Sequence, residues 1–273
     1  MDTEMEIICV GNELLIGKTL NTNANWMAKR ATSLGIRVKR ITVVGDHVSE
    51  IATAVTEALD RRPGFIVTTG GLGPTFDDKT LEGIAKALKR KLGINERALN
   101  MVREKYETLA EHGKLEKTEL TPPRIKMAKL PETAEPLSNP VGTAPGVAMS
   151  VDGTALLILP GVPSEMEAIF EQSIVPLFRR ESGNTAFFEA SVYVDDIMES
   201  TLAPLIDQTM QDNASIYIKS HPKGAEGAPH IELHFSMTAK DPKTVRNRLG
   251  KAITQLSELV EKMGGRIKAP RKT

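Results

Sequence analysis

The feature that most constrains the fold is the alternation of short apolar runs with amphipathic stretches in the first third of the chain. Three apolar runs have the length of strands: Glu6–Val10, Ile36–Val44 and Phe65–Thr69. After each of them, apolar residues recur at helical spacing. Because strands joined through helices form right-handed parallel units, this order predicts an α/β fold. It is a three-layer fold with a mostly parallel sheet and helices on both faces.

The centre of the chain is less regular. Asn95–His112 predicts one more helix, and Pro122–Pro145 predicts a proline-rich connection without regular structure. Asp152-Gly153 lies between two apolar runs, Gly146–Ser150 and Ala155–Leu159. Since this dipeptide suits a tight turn, the two runs are predicted to form a hairpin.

Two domains are predicted from the length and from a change in composition. The first, residues 1–177, ends after a helix that begins at Pro163. The polar stretch 179–184 is typical of a linker. Beyond it, residues 185–273 show the order β-α-β-β-α, which predicts a small α+β domain.

Bulk composition excludes several classes of partner. The formal net charge is zero, from 35 basic and 35 acidic residues, which leaves no electrostatic footprint for nucleic acid or an anionic membrane. The single cysteine, Cys9, excludes an intramolecular disulfide and is typical of a reducing compartment. No long apolar run marks a signal peptide or a membrane span, so we expect a cytoplasmic protein.

Candidate chemistry is concentrated in the segment Thr69–Thr80, which follows the third apolar run. Its glycines allow the backbone to approach a ligand closely and to adopt positive φ. The helix that follows adds free N–H groups and the positive end of its dipole, which together suit a phosphate. The candidate substrate-binding residues in this segment are Gly70, Gly71, Gly73, Thr75 and Thr80.

Two neighbouring carboxylates, Asp77 and Asp78, belong to the same segment. Beside a phosphate alone they would be repelled, but Mg²⁺ or another divalent cation between them and the phosphate makes the arrangement favourable. The alternative is that one of them caps the following helix. The segment lacks both the Walker lysine pattern and G-x-G-x-x-G, so it is neither an ordinary P-loop nor a nicotinamide-binding turn.

Five segments carry a family resemblance: Gly11–Gly17, Asn21–Asn23, Thr69–Thr80, Asn139–Gly146 and Leu159–Met166. In sequence and order they resemble the N-terminal, molybdopterin-binding-like domain of the CinA family. The resemblance extends from about Met5 to Leu177. The tail after Asn184 resembles the small KH-type domain that follows in that family.

The resemblance implies a divalent-metal-dependent pyrophosphatase that converts ADP-ribose into AMP and ribose 5-phosphate. We therefore expect a hydrolase that binds a small phosphorylated nucleotide. The alternative is non-catalytic binding of molybdopterin or a related adenylylated pterin, since the fold is shared with cofactor-biosynthesis proteins. Full bacterial members also carry a nicotinamide-mononucleotide deamidase domain. This chain ends at Thr273 with no segment left for one, so we expect no deamidase activity.

Roles for further residues follow from this hypothesis. Asp77 and Asp78 would hold the metal, and Glu13 would act as a further ligand or general base, or else as a solvated turn carboxylate. Asn21 and Asn23 would contact ribose or base, or else cap a helix.

The remaining candidates would shape the pocket around the ligand. Asp46 either faces the ligand or completes a turn. Gly142 and Thr143 would form the opposite wall, whereas Pro160 and Gly161 would shape the pocket without reacting.

Two features of the second domain resemble a metal site and a nucleic-acid site, but we expect neither. His230 and His234 lie on one strand, about 13 Å apart, which is too far to share a metal ion. Gly224–Gly227 matches the G-x-x-G of RNA-binding KH domains but joins two strands instead of two helices, so nucleic-acid binding is disfavoured. We expect a homo-oligomer, either a dimer or a trimer.

Overall fold

The computed structural model describes residues 3–113, 118–183, 185–223 and 229–268. The chain divides into two compact units, one ending at Ser182 and the other beginning at Gly183. Each unit has its own buried apolar core. Within the described ranges, no helix combines the length and the hydrophobicity that crossing a membrane requires.

The first unit alternates strands and helices, as the apolar runs predict. Its elements, in chain order, are β1 (Glu4–Val10), α1 (Asn12–Leu15), α2 (Thr22–Ser33), β2 (Arg37–Val44), α3 (Val48–Asp60), β3 (Phe65–Thr69), α4 (Thr80–Ala87), β4 (Leu92–Ile94), α5 (Glu96–Glu111), α6 (Pro122–Lys126), β5 (Lys129–Pro131), β6 (Glu135–Leu137), β7 (Gly146–Val151), β8 (Thr154–Leu159), α7 (Pro163–Ile169), a π-helical turn (Phe170–Ile174) and α8 (Val175–Ser182).

The main sheet of this unit has the strand order β2-β1-β3-β8-β7-β6. The first four strands are parallel, β7 runs antiparallel to them, and the edge strand β6 pairs antiparallel with β7. From β1 the chain moves to β2 on one side and then returns to β3 on the other. The strand order therefore reverses between β1 and β3, and ligands of open α/β sheets bind at such a point, beyond the carboxyl ends of the strands.

Helices cover both faces of the sheet, which confirms the predicted three-layer architecture. Successive residues of a strand point to opposite faces, so Ile8 and Val10 pack on one core while Ile7 and Cys9 pack on the other. The first core contains residues of α3, α4 and α5; the second contains residues of α2, α7 and α8. Because the central strands are covered on both sides, they are apolar almost throughout.

Two expectations about the first unit need correction. Pro122–Pro145 is not an irregular connection, because it contains α6, β5 and β6. The predicted domain end at Leu177 falls inside α8, which continues to Ser182. The polar run at 179–182 is thus the end of a helix and not a linker.

The second unit is a small α+β domain. Its elements are β9 (Ala186–Asp195), α9 (Glu199–Asp212), β10 (Tyr217–Pro222), β11 (His230–Ala239), α10 (Pro242–Lys262) and β12 (Arg266–Lys268). The strands form an antiparallel sheet in the order β10-β11-β9-β12, and its core joins the sheet to α9 and α10. The G-x-x-G segment Gly224–Gly227 lies outside the described residues.

Both histidines of β11 pair with carboxylates of β9. His230 Nδ1 lies 2.6 Å from Asp195, and His234 Nε2 lies 3.1 Å from Glu189. Asp195 also accepts a hydrogen bond from Lys268 at 2.7 Å. The hydrogen bond from His230, followed by that from Lys268, lowers the pKa of Asp195 to about 2.

We expect Asp195 to contribute to the acid stability of the second unit. Its folded pKa lies below the ordinary 3.8, so its contribution is present above about pH 4 and is lost as the pH falls through about 2. Asp195→Asn should therefore lower the free energy of unfolding at pH 7 and flatten its decline between about pH 4 and pH 2. Urea unfolding at several pH values measures both effects, with the exposed Asp207→Asn as the control. If the free energy of unfolding declined with falling pH in the same way in Asp195→Asn and in the wild type, this expectation would be wrong.

Candidate functional site

A cleft of about 260 Å³ opens at the carboxyl ends of β1, β3 and β8. It lies where the strand order reverses, the position that the fold predicts for a ligand. Many residues singled out from the sequence meet there. Those that line the cleft are Glu13, Asn21, Asn23, Asp46, Gly70, Gly71, Thr75, Asp77, Asp78 and Gly161.

Three other candidates lie just behind this lining and support it. The buried Thr80 hydroxyl donates to the carbonyl of Gly70 at 2.7 Å. The carbonyl of Pro160 accepts from the hydroxyl of Thr69 at 2.8 Å. Gly73 lies against Asp78, where a Cβ would come within 2.7 Å of a carboxylate oxygen. All three hold the cleft in shape without lining it.

Gly142 and Thr143 do not form the opposite wall, and that prediction was wrong. Gly142 packs against Glu165, whose carboxylate would overlap any Cβ at this position. Asn139 holds the loop by accepting the backbone N–H of Gly142 at 2.8 Å. Thr143 instead lines a separate pocket of about 170 Å³ beside α5. The segment Asn139–Gly146 therefore closes its own loop through Asn139. Its sequence does not show where in the fold that loop lies.

The floor of the cleft is main chain. Gly70 has φ +104°, and a Cβ there would lie 2.1 Å from the carbonyl oxygen of Val10. A Cβ on Gly161 would lie 3.3 Å from the Cα of Gly70. The ends of β1, β3 and β8 are therefore in direct backbone contact, which only glycine permits at Gly70.

Backbone N–H groups without a hydrogen-bond acceptor among the described residues come directly after Gly70 in the chain. No described residue accepts a hydrogen bond from the N–H of Gly71, Leu72 or Gly73. Unpaired amides need water or a ligand as an acceptor, and successive amides after a strand suit an anion.

The turn Thr75–Asp78, which we name the acidic loop, holds both aspartates. Asp78 Oδ2 accepts from the backbone N–H of Thr75 at 2.8 Å and from its hydroxyl at 2.6 Å. Asp77 contacts the same hydroxyl. The Thr75 hydroxyl, then Asp77's own backbone N–H and Lys126, lower the pKa of Asp77. Helix α4 begins only after Lys79 and has no side-chain cap, so the capping alternative for these aspartates was wrong.

The other side of the cleft is formed by the start of α2. Asn21 caps this helix, accepting the N–H of Ala24 at 3.1 Å, which confirms the capping alternative for that residue. Asn23 is buried and donates to the Thr69 hydroxyl at 3.0 Å and to the Gly161 carbonyl at 2.8 Å. Asn23 thus ties α2 to the ends of β3 and β8.

The third side of the cleft joins the loops after β1 and β2. Asp46 accepts the N–H of Asn12 at 2.9 Å, and the N–H of Asp46 donates to the Asn12 side chain at 3.4 Å. The exposed carboxylate of Glu13 lies over Gly11, within 2.4 Å of where a Cβ would be. Asp46 therefore completes a turn, as one of its two alternatives predicted, and it also lines the cleft. That it faces a ligand stays a prediction.

The charges of the cleft have an unusual distribution. Its acidic lining residues are Glu13, Asp46, Asp77 and Asp78, and the described lining contains no Lys, Arg or His. Positive potential comes instead from main chain, since the twelve-residue helix α2 begins at the cleft. Acidic side chains beside a backbone that attracts anions suit an anion bridged by a cation.

Comparison with known proteins places the chain in a family. A family model described as "Probable molybdopterin binding domain" matches residues 6–180. The chain belongs to this family. A protein of Sulfurisphaera tokodaii is 43% identical over 263 residues, covering 96% of this chain and 97% of the relative. A protein of Caldivirga maquilingensis is 47% identical over 252 residues, covering 92% of this chain and 94% of the relative.

One solved structure extends the likeness. The crystal structure of "the protein CinA with unknown function" from Thermoplasma acidophilum matches this member of the molybdopterin-binding domain family with a TM-score of 0.58 and 42% identity. The match covers 66% of this chain and 98% of that one. The similarity to CinA is thereby confirmed. ADP-ribose hydrolysis and the KH-type nature of the second unit stay predictions.

Sequence reasoning missed one residue beside the cleft of this family member. Lys126, the last residue of α6, donates to the carbonyl of Asp78 at 2.8 Å and contacts that of Thr75. The contact joins residues 48 positions apart. No local pattern could have revealed it, because a lone lysine in a proline-rich stretch resembles any solvated residue.

Gly70→Ala tests the backbone floor. The substitution combines a positive φ with overlap against the Val10 carbonyl, so it should lower the free energy of unfolding by at least about 2 kcal/mol. Gly93→Ala is the matched control, because a Cβ there meets nothing within 4 Å, and it should change stability by less than about 0.5 kcal/mol. Urea unfolding measures both variants. If Gly70→Ala were as stable as Gly93→Ala, the strand ends would not be tightly packed.

Proposed function

We propose that the cleft binds a small phosphorylated nucleotide with a divalent cation and hydrolyses its pyrophosphate bond. ADP-ribose, cleaved to AMP and ribose 5-phosphate, is the substrate that the CinA resemblance suggests. The observation that carries the proposal is the composition of the lining. It combines acidic side chains with a glycine backbone at the carboxyl ends of parallel strands, and the described lining residues include no cationic side chain.

A pyrophosphate could not bind to this lining by charge alone. Two like charges about 4 Å apart repel by about 4 kcal/mol at an effective dielectric constant of about 20. Two of the acids, Asp77 and Asp78, converge on one hydroxyl, that of Thr75. A divalent cation at this position would offset the repulsion between the carboxylates and the phosphate oxygens.

The donor set fits Mg²⁺. Mg²⁺ in nucleotide sites is held by one or two carboxylates and completes its shell with phosphate oxygens and water. Asp77 and Asp78 supply such a pair. The described ranges contain no group of three or more His, Cys, Asp or Glu residues that could enclose a metal. The site therefore suits a cation that arrives with its phosphate ligand and not a permanently enclosed ion.

Different residues of the cleft would bind the phosphate, hold the cation and accept the proton. The free amide of Gly71, which lines the cleft, would donate to a phosphate oxygen and fix the anhydride against the floor. Asp77 and Asp78 hold the cation, which when bound would neutralise the anhydride and lower the pKa of bound water. The Glu13 carboxylate would then accept a proton from the attacking water.

A second candidate function is non-catalytic binding of molybdopterin or a related adenylylated pterin. The match of residues 6–180 to the molybdopterin-binding family supports it. The same amides and acids would serve a pterin phosphate, so fold and family leave the choice to experiment.

We also propose that the second unit is a KH-type variant without a nucleic-acid ligand. The element order β9-α9-β10-β11-α10 and the zero formal net charge of the chain as a whole support this reading. Fluorescence anisotropy with labelled single-stranded RNA tests it. Salt-dependent binding at low micromolar protein would overturn it.

Asp77→Asn and Asp78→Asn test the proposed hydrolysis. Each should reduce Mg²⁺-dependent AMP release from ADP-ribose at least about a hundredfold, because each removes a ligand charge that the transition state needs. Asp152→Asn is the matched control, since Asp152 is exposed in the turn between β7 and β8. Its activity should equal that of the wild type. Chromatography of the products gives the rates, and circular dichroism confirms the fold of each variant.

The two candidate functions give different results in this assay. A wild-type chain that releases no AMP but binds a molybdopterin-type ligand, with affinity lost in Asp78→Asn, would support the binding function. Full activity in both aspartate variants would overturn the assigned metal site.

A further inference from the structure

The acidic loop is bonded from its outer side by Lys126. The ammonium group donates to the carbonyl of Asp78 at 2.8 Å and also contacts the carbonyl of Thr75. The backbone N–H of Asp78 donates to the same Thr75 carbonyl at 3.3 Å, closing the turn. One cation thus bonds both ends of the turn that presents Asp77 and Asp78.

Lys126 reaches the loop from a fixed part of the core. The next two residues, Met127 and Ala128, are buried in the core of the α3 face. The carbonyl of Ala128 accepts the backbone N–H of Asn95 at 2.9 Å. The backbone that carries the Lys126 side chain is therefore held by packing and not by the loop.

The contacts of Lys126 with the acidic loop do not involve the carboxylates of Asp77 and Asp78. Lys126 donates to main-chain carbonyls, whereas the carboxylates of Asp77 and Asp78 contact the hydroxyl of Thr75. Lys79, at the end of the same segment, is occupied by Glu82 at 3.1 Å. Burial lowers the pKa of Lys126 and the charge of Asp78 partly offsets this, as expected for a half-buried ammonium beside the loop.

We propose that Lys126 is a positioning residue that holds the acidic loop in its cation-binding shape. The expected effect on cation binding rests on the proposed function. The claim that Lys126 holds the loop in shape can be tested without it. Without the ammonium, two carbonyls lose a charged donor and the two aspartates lose a nearby compensating charge. A divalent cation would then have to order the loop itself, which weakens its apparent binding.

The structural part is tested in the metal-free protein by amide hydrogen exchange. Lys126→Met keeps the length of the side chain but removes its donors, so protection of the Thr75 and Asp78 amides should fall about tenfold or more. Lys126→Arg should restore protection, because a guanidinium can also donate to both carbonyls. Lys129→Met, at the exposed start of β5, is the control and should leave protection unchanged.

The functional part is tested by titrating Mg²⁺ in the ADP-ribose assay with the same variants. Lys126→Met should raise the half-saturating Mg²⁺ concentration about tenfold, yet reach a kcat within about twofold of the wild type at saturating Mg²⁺. Lys126→Arg should restore the wild-type midpoint. A lower kcat with an unchanged midpoint would overturn the positioning role.

The two experiments separate the possible failures. If the wild type releases no AMP at any Mg²⁺ concentration, the proposed hydrolysis fails, and hydrogen exchange still decides whether Lys126 holds the loop. If exchange at Thr75 and Asp78 is the same in Lys126→Met and the wild type, the inference about Lys126 is wrong whatever the enzyme assay shows.

Discussion

The close backbone contact where β1, β3 and β8 end is the constraint on which the rest of the site depends. A Cβ at Gly70 would overlap the carbonyl of Val10, so the three strand ends can meet only through glycine. Their loops must then diverge, because the strand order reverses between β1 and β3. The space they leave is the cleft, and its floor presents main-chain groups instead of side chains.

Charge explains what such a cleft can hold. The glycine backbone and the start of α2 attract an anion, whereas the side chains of Glu13, Asp46, Asp77 and Asp78 attract a cation. Neither kind of ligand alone satisfies both sets of groups. A phosphorylated ligand that carries a divalent cation does, and this requirement connects the hydrolase and the pterin-binding candidates.

Much of the fold and part of the site could be predicted from local patterns. The apolar runs before Gly11 and Gly70 identified β1 and β3, and the glycines and aspartates that follow identified the cleft. Prediction failed where the signal was short or distant. Three-residue strands such as β5 and β6 show no periodicity, so the sequence predicts only a proline-rich connection there. The positions of Thr143 and Lys126 depend on long-range packing, which no local motif encodes.

The central claim is that a divalent cation on the acidic loop joins the carboxylates to a phosphate held by the glycine backbone. Anomalous diffraction from crystals grown with Mn²⁺ and a non-hydrolysable ADP-ribose analogue tests this claim most directly. The expected result is a Mn²⁺ peak coordinated by Asp77 or Asp78, with a ligand phosphate hydrogen-bonded to the amide of Gly71. An ordered phosphate in the cleft without any metal at these aspartates, or a nucleotide bound elsewhere on the chain, would contradict it.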